Sequence, residues 1–232
     1  MREVKIDDFN AFVSHIDIYD GLTADTIIYR GQSKRGNLLP SIARNDPKKN
    51  TAKTEERMLQ QLKLMGATFL PENDKTLLDT MVIAQHYGMK TRLLDWTRNP
   101  LAALWFACSS PKPGDVYVYA LEANELYKED LYSRKKDPLT YKKTRVVQPR
   151  LNNQNIIAQD GWFTLHCYSE KVKQFVPLEK NKEMKYNLTE FQIPGGTRQD
   201  MLHMLGCLGV NRRTLFPSLE GLCRHLNQIH NI

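Results

Sequence analysis

Long apolar runs are missing from this chain. No stretch approaches the ~20 consecutive apolar residues of a membrane span. The opening residues, MREVKIDDFNAF, place an acidic pair where a secretory leader needs an apolar segment. The expectation is a cytoplasmic protein with no membrane partner. Cysteine is also scarce. Cys108, Cys167, Cys207 and Cys223 form no C-x-x-C pair, and each sits in an apolar or mixed context, which favours buried free thiols over disulfides or zinc. His203 and Cys207 are spaced to share a helix face, but one such pair makes no metal site, and no metal is expected. The chain contains no P-loop, no G-x-G-x-x-G, no H-E-x-x-H and no Ser-His-Asp order, so the enzyme classes those motifs mark gain no support. It has no internal repeat and no low-complexity tract.

What is present suits one folded unit. The 232 residues, 41% apolar and 25% charged, are enough to bury a sizeable core, and no internal boundary stands out, so residues 1–232 are read as a single domain. The net charge of +7 is unevenly spread. Residues 133–150, SRKKDPLTYKKTRVVQPR, hold seven Lys/Arg against one Asp. Such a run suits phosphate, in nucleic acid or on a phosphorylated ligand. It equally suits a solvated loop between strands, since Tyr141 is its one aromatic for stacking on bases.

Periodicity and capping predict a helix over Ile6–Ile18 and a strand, TIIYRGQ, closed by a turn at residues 33–37, with Leu38–Ile42 extended beyond it. Thr54 reads as an N-cap, with Glu55 and Glu56 in the first turn and a stripe of Met58, Leu62, Met65 and Phe69 ending at Pro71. A second helix is expected over Lys75–Tyr87, with Gly88 just past its end. A buried strand follows at Thr91–Trp96. Asn99-Pro100 then opens a core helix, Leu101–Cys108. Further strands are expected at DVYVYAL, at Asn155–His166 with a break near Gly161, and at Phe191–Ile193. A helix beginning near Thr197 ends at Gly209. Leu219, Leu222, Leu226 and Ile229 mark a terminal amphipathic helix. Helices separating short strands make the fold class α+β.

Three stretches set polar groups at strand ends. In IIYRGQ, Arg30 is costly inside an apolar strand unless it is paired or faces a cleft. It either holds a phosphate or carboxylate or pairs with an internal acid such as Asp95. Gly31 permits close approach of a ligand or backbone. In TRLLDWT, alternation puts Thr91, Leu93, Asp95 and Thr97 on one face and Arg92, Leu94 and Trp96 on the other. Asp95 and Thr97 then point together beside a helix N-terminus, a ready anion site, or they brace the turn while Thr97 or Asn99 caps the helix. In NIIAQDGWFTLH, Gln159 suits either a sugar hydroxyl or a turn. His86, at a helix end, is either a cap or a functional group.

These stretches resemble the FRG domain family, whose Phe/Tyr-Arg-Gly motif stands here as Tyr29-Arg30-Gly31. The resemblance runs on through Gln32, Leu39-Pro40-Ser41, Gln85-His86-Tyr87-Gly88, Thr91 to Thr97, Asn99-Pro100 and Ala102 to Ala107. It continues through Arg150, Gln159-x-Gly161-x-Phe163-Thr164, Leu205-Gly206 and Leu215 to Gly221, so it spans nearly the whole chain. Members occur in bacteria and their phages, and that context implies a toxin or phage-defence role. A more distant similarity is to ADP-ribosyltransferases, in which a Tyr-Arg-Gly-like strand, a Ser-Thr-Ser strand end before an Ala/Phe-rich helix, and a strand with a catalytic Glu occur in this order. That similarity implies a central, mainly antiparallel split sheet flanked by helices. It also implies NAD as substrate, with Arg30 on the diphosphate, Asp95 and Thr97 at the nicotinamide ribose and Gln159 in the third position. Asp-Trp-Thr departs from Ser-Thr-Ser, and Gln159 lacks the charge of Glu.

Two readings follow. In one, the chain is an ADP-ribosyltransferase-like enzyme or NAD glycohydrolase that passes ADP-ribose to a protein or nucleic-acid acceptor or to water. Arg30, Asp95 and Gln159 would be catalytic, with Tyr29, Gly31, Gln32, His86, Arg92, Thr97 and Arg150 binding substrate. In the other, the same cleft binds a nucleotide or nucleic acid without turnover, helped by the basic 133–150 segment.

Overall fold

Seven strands join into one sheet in the computed structural model, which describes residues 1–20, 26–70, 76–124, 126, 131, 137–150 and 153–230. In chain order the first elements are β1 (Arg2–Lys5), α1 (Phe9–Asp20), β2 (Ile27–Gln32), α2 (Ala52–Met65), α3 (Leu77–His86), β3 (Leu93–Thr97), α4 (Pro100–Cys108) and β4 (Val116–Glu122). Then come β5 (Arg145–Val147), α5 (Gln154–Ala158), β6 (Gly161–Leu165), β7 (Tyr168–Ser169), β8 (Gln174–Phe175), β9 (Leu188–Ile193), α6 (Arg198–Cys207), α7 (Arg212–Leu215) and α8 (Leu219–Ile229). The sheet order is β1-β9-β4-β2-β3-β6-β5, antiparallel throughout except for the parallel β1–β9 edge. The fold is thus α+β, with a mainly antiparallel sheet flanked by helices. A separate two-stranded ribbon, β7–β8, stands apart from it.

Strand alternation divides the core between two faces. On one face Tyr29, Val116, Val118 and Ala120 pack under α4, with Phe12 of α1 and Met201 and Leu205 of α6. Further along the same face Leu93, Phe163, Leu165 and Val147 pack under Leu78, Met81 and Val82 of α3 and Leu59 of α2. On the opposite face Ile28, Leu94, Trp96, Tyr119, Leu121 and Trp162 meet Leu38, Leu178 and Met184 from the connecting segments. Two helical packs therefore share one side of the sheet, and the seam between them runs over the β2–β3 junction.

α4 starts as its sequence dictates. Asn99 Oδ1 accepts from the backbone N–H groups of Leu101 and Ala102 at 2.9 and 3.2 Å, and Pro100 occupies the first turn. Leu104, Ala103 and Ala107 are fully buried. The helix lies directly on β2. A Cβ at Gly31 would run into the Ala103 carbonyl and stand 2.6 Å from the Ala107 nitrogen. Backbone, not a movable side chain, occupies that space.

Several expectations need correction. Thr54 lies inside α2, which begins after Thr51. Its buried positions are Glu55 and Leu59, while Met65 and Phe69 are exposed, Phe69 at 87%. The helix is turned to carry Glu55 inward, for a reason given below. Pro71 and Lys75 lie outside the described residues, and α3 begins instead with a capping box between Thr76 and Asp79. Residues 155–158 are helical, not a strand. Asn153 caps α5, and Asp160, at φ +44, turns the chain into β6. Of the cysteines only Cys108 is fully buried, and Cys207 and Cys223 are exposed. No helix among the described residues is long and apolar enough to cross a membrane.

Gly31→Ala is expected to destabilise the fold by about 3 kcal/mol or more, because α4 must move off the sheet to admit one methyl group. Urea unfolding of the two proteins measures this. A loss under about 1 kcal/mol would show that α4 is not seated so closely on β2.

Candidate active site

The ladder between β2 and β3 holds only at Tyr29–Thr97. Beyond that pair, toward Gln32, the strands part, and Arg30 occupies the gap. Its Nη1 donates to the Asp95 carbonyl oxygen at 2.7 Å and lies 3.9 Å from the Asp95 carboxylate, while Nε donates to Gln32 Oε1 at 3.3 Å. Alternation from buried Tyr29 puts the base of the Arg30 side chain on the face away from α4, in register with Tyr119. The guanidinium thus reaches through the gap toward the carboxylate. Burial pushes its pKa down to about 10, and Asp95 opposes that shift. It stays cationic at neutral pH.

Asp95 is the exception on its strand. Leu93, Leu94, Trp96 and Thr97 are buried, yet the Asp95 side chain is 63% exposed. It points to the α4 side of the sheet, into the seam between the two helical packs. Gln85 Nε2 donates to its Oδ1 at 2.7 Å, and Gln85 is anchored in turn by the Thr91 hydroxyl. A cleft of about 280 Å³ opens here. Its lining includes Arg30, Asp95, Thr97, Gln159, Phe106 and Phe216. A smaller annex of about 60 Å³, holding His86 and Asn155, shares Asp95 and Gln159 with it.

The structure therefore brings Tyr29, Arg30, Gly31, Asp95, Thr97 and Gln159 to one cleft, with His86 beside it. Their polar groups are partly committed. The Thr97 hydroxyl donates to the Gln159 carbonyl and accepts from the Asn99 N–H at 2.9 Å, so it braces the turn into α4. Gln159 Nε2 donates to the Leu215 carbonyl at 2.9 Å, and its Oε1 has no partner among the described residues. His86 Nε2 lies 3.5 Å from Asn155 Nδ2. Burial lowers the His86 pKa, against the pull of Asp95, so the imidazole is neutral at pH 7.

Three expected binding residues lie elsewhere. Arg92 is in the core, 2% exposed, where its backbone N–H and Nε donate to the two carboxylate oxygens of Glu55 at 2.8 and 2.7 Å. This pair is what turns α2 inward, because either charge alone would be strongly destabilising there. Burial raises the Glu55 pKa, and Arg92 works against that rise. Arg150 pairs with Asp79 at 3.4 Å near the start of α3 and does not line the cleft. Gln32 ties the following turn, donating to the Lys34 and Gly36 carbonyls at 2.8 and 2.6 Å.

Sequence reasoning assigned no role to Phe106, Phe216 or Gln85. Phe106 follows Ala103 by three residues, so the helix spacing that seats Ala103 on Gly31 also turns Phe106 to the cleft. Phe216 is held edge-on to Phe106 at 6.0 Å and lies beneath the Arg212 guanidinium at 5.8 Å. Behind the gap, Tyr119 donates to Glu190 at 2.8 Å, and Arg35 Nε donates to the other Glu190 oxygen at 2.8 Å. Trp96 Nε1 donates to Thr164 Oγ1 at 3.0 Å, and Thr164 lies 3.0 Å from His166 Nε2. Among the described residues no group of three or more His, Cys, Asp or Glu is arranged to hold a metal ion.

Residues 25–115 match the family model of the FRG domain. That span carries β2, β3 and the whole of α4. Gln159 and Phe216 fall beyond it. No curated protein and no solved structure gave a significant match.

His166 supplies a pH test of this architecture. Burial, reinforced by the nearby Arg30 charge, lowers its pKa to about 3. Between about 6.5 and about 3 the unfolded chain holds a proton that the fold excludes, so stability falls as pH drops through that window. From pH 7 to pH 5 the wild type is expected to lose about 2 kcal/mol more than His166→Gln in urea denaturation. Equal losses would mean that His166 takes up its proton within the fold.

Proposed function

We propose that the cleft over the β2–β3 gap binds NAD or a related nucleotide and breaks its N-glycosidic bond, as an ADP-ribosyltransferase or NAD glycohydrolase does. The sheet, parted between β2 and β3 and flanked by helices, supports kinship with that fold. The observation that carries the reading is Asp95. It is an exposed carboxylate on an otherwise buried strand, steadied by Gln85 and Arg30 and directed into a cleft edged by Phe106 and Phe216. A carboxylate kept exposed at this cost in a buried strand is better explained by chemistry than by stability.

Each group then has a part. The Arg30 cation draws the diphosphate to the gap. Phe106 and Phe216 offer ring surfaces for a planar base. As the bond between ribose C1′ and the nicotinamide nitrogen breaks, its electron pair leaves with nicotinamide, and positive charge grows on the ribose. The Asp95 carboxylate stabilises that charge. Gln159 Oε1 accepts from a ribose hydroxyl. Water, or a hydroxyl of a protein or nucleic-acid acceptor, then bonds to C1′ and gives up its proton, for which neutral His86 is an available base.

Incubation with labelled NAD, with and without cell lysate, tests this. Nicotinamide release by the wild type is expected. Asp95→Asn is expected to lower kcat by about 100-fold or more with KM little changed, and Arg30→Gln to raise KM, with both variants folded by circular dichroism. Full activity in Asp95→Asn would sink the assignment. So would a wild type that neither turns over NAD nor binds it in calorimetry.

A further inference from the structure

A second concavity lies at the far end of β6. That strand starts at Gly161, beside the annex of the cleft, and leads to Cys167, about 20 Å away along an extended chain. There a groove of about 370 Å³ is lined from three separate segments: Lys142 and Lys143 before β5, Lys171 in the β7–β8 turn, and Lys180 and Lys182 after β8. All five lysines are exposed. Glu183 is the one acid in the lining, and Lys143 already holds it at 2.7 Å. Lys142, Lys171, Lys180 and Lys182 have no ion-pair partner among the described residues. The groove therefore concentrates positive charge that the fold leaves uncompensated.

The charge pattern was only half visible in the sequence. The basic run over residues 133–150 supplies Lys142 and Lys143, while residues 133–136, including Lys135 and Lys136, lie outside the described residues. The other three lysines come from segments that only the fold brings alongside. We propose that this groove binds the phosphate backbone of a single-stranded nucleic acid. Five ammonium groups from several segments around one groove suit several phosphates better than one phosphoryl group. Unpaired bases can reach an aromatic ring beside such a groove, which the stacked pairs of a duplex cannot, so a single strand suits it better. Val172 is the one exposed apolar side chain in the lining, too little to enter a membrane interface. Three residues past Glu183, Tyr186 is 78% exposed, with the Lys185 ammonium 4.7 Å from its ring centre, and it offers a base a stacking surface. This site stands apart from the NAD cleft and does not depend on it.

Fluorescence anisotropy of the full chain with labelled RNA and DNA strands of about 20 nucleotides, a matched duplex and anionic phosphatidylserine vesicles tests the proposal. Single strands are expected to bind tightest, with log K falling against log salt at a slope of about −3, as roughly four lysine–phosphate contacts require. The combined Lys171→Glu, Lys180→Glu and Lys182→Glu variant is expected to bind about 100-fold more weakly, with a shallower slope. A charge-matched control on α2, Lys53→Glu, Arg57→Glu and Lys63→Glu, should lose less than about 3-fold. Equal losses in the two variants would overturn the proposal by showing that net charge alone is at work. Preference for the duplex or for vesicles, or no binding at low salt, would overturn it as well. Any NAD turnover should be the same in the groove variant as in the wild type, so the two sites fail or stand separately.

Discussion

The closeness of α4 to β2 sets the rest of this structure. Gly31 has no side chain, and the backbone at Ala103 and Ala107 fills the place one would take. A helix seated that low fixes where its first turn begins, and hence where Asn99 caps it and Thr97 braces it. It also fixes Phe106 at the cleft edge. The glycine is thus a condition for the cleft, although it offers no polar group to a ligand. In the same strand Tyr29 fills the core under α4, and Arg30 reaches the other way into the gap. Adjacent residues thereby serve both faces of the strand, Tyr29 and Gly31 toward α4 and Arg30 toward the gap.

The buried acids Glu55 and Glu190 have both carboxylate oxygens closely paired, whereas exposed Asp95 does not. Glu55 receives two donors from Arg92. Glu190 receives Tyr119 on one oxygen and Arg35 on the other. Pairs of this kind add little net stability compared with apolar residues, but losing one partner is costly, so they fix the arrangement of α2 and of the Arg35 turn. Asp95 differs. Gln85 satisfies one of its oxygens, and the other meets Arg30 only at 3.9 Å. The fold steadies this carboxylate without closing it off.

Much of this was legible in the sequence where a single local signal decides the outcome. Asn99-Pro100 marked the start of α4, and period-two alternation in TRLLDWT put Asp95 and Thr97 on the face opposite Arg92 and Trp96. The α+β class and the approach of Arg30 to Asp95 were legible too. What failed depended on partners remote in the chain. The stripe of α2 was misread because Glu55, an acid, faces inward, and only Arg92, 37 residues later, makes that tolerable. Arg92 was read as a ligand-facing group for the same reason. The segment before Gly161 has strand-like composition, but Asn153 caps it into a turn of helix. Phe216 reaches the cleft through α7, an element too short to announce itself by periodicity.

The choice between brace and reactive site rests on the gap itself. Were the Arg30–Asp95 contact only a brace, closing β2 against β3 by ordinary ladder bonds would do the same work with no desolvated guanidinium. Instead the ladder stops at Tyr29–Thr97, the guanidinium takes the place of the missing bonds, and the carboxylate is turned outward between two helical packs. The arrangement sacrifices sheet hydrogen bonds and sets a fixed cation against a fixed anion at the mouth of an aromatic-edged cleft. Such a departure from local stability is expected where function, not folding, selects the geometry. The ligand proposed above would meet these features together: its diphosphate at Arg30, its base at Phe106 and Phe216, and the charge developing on its ribose at Asp95.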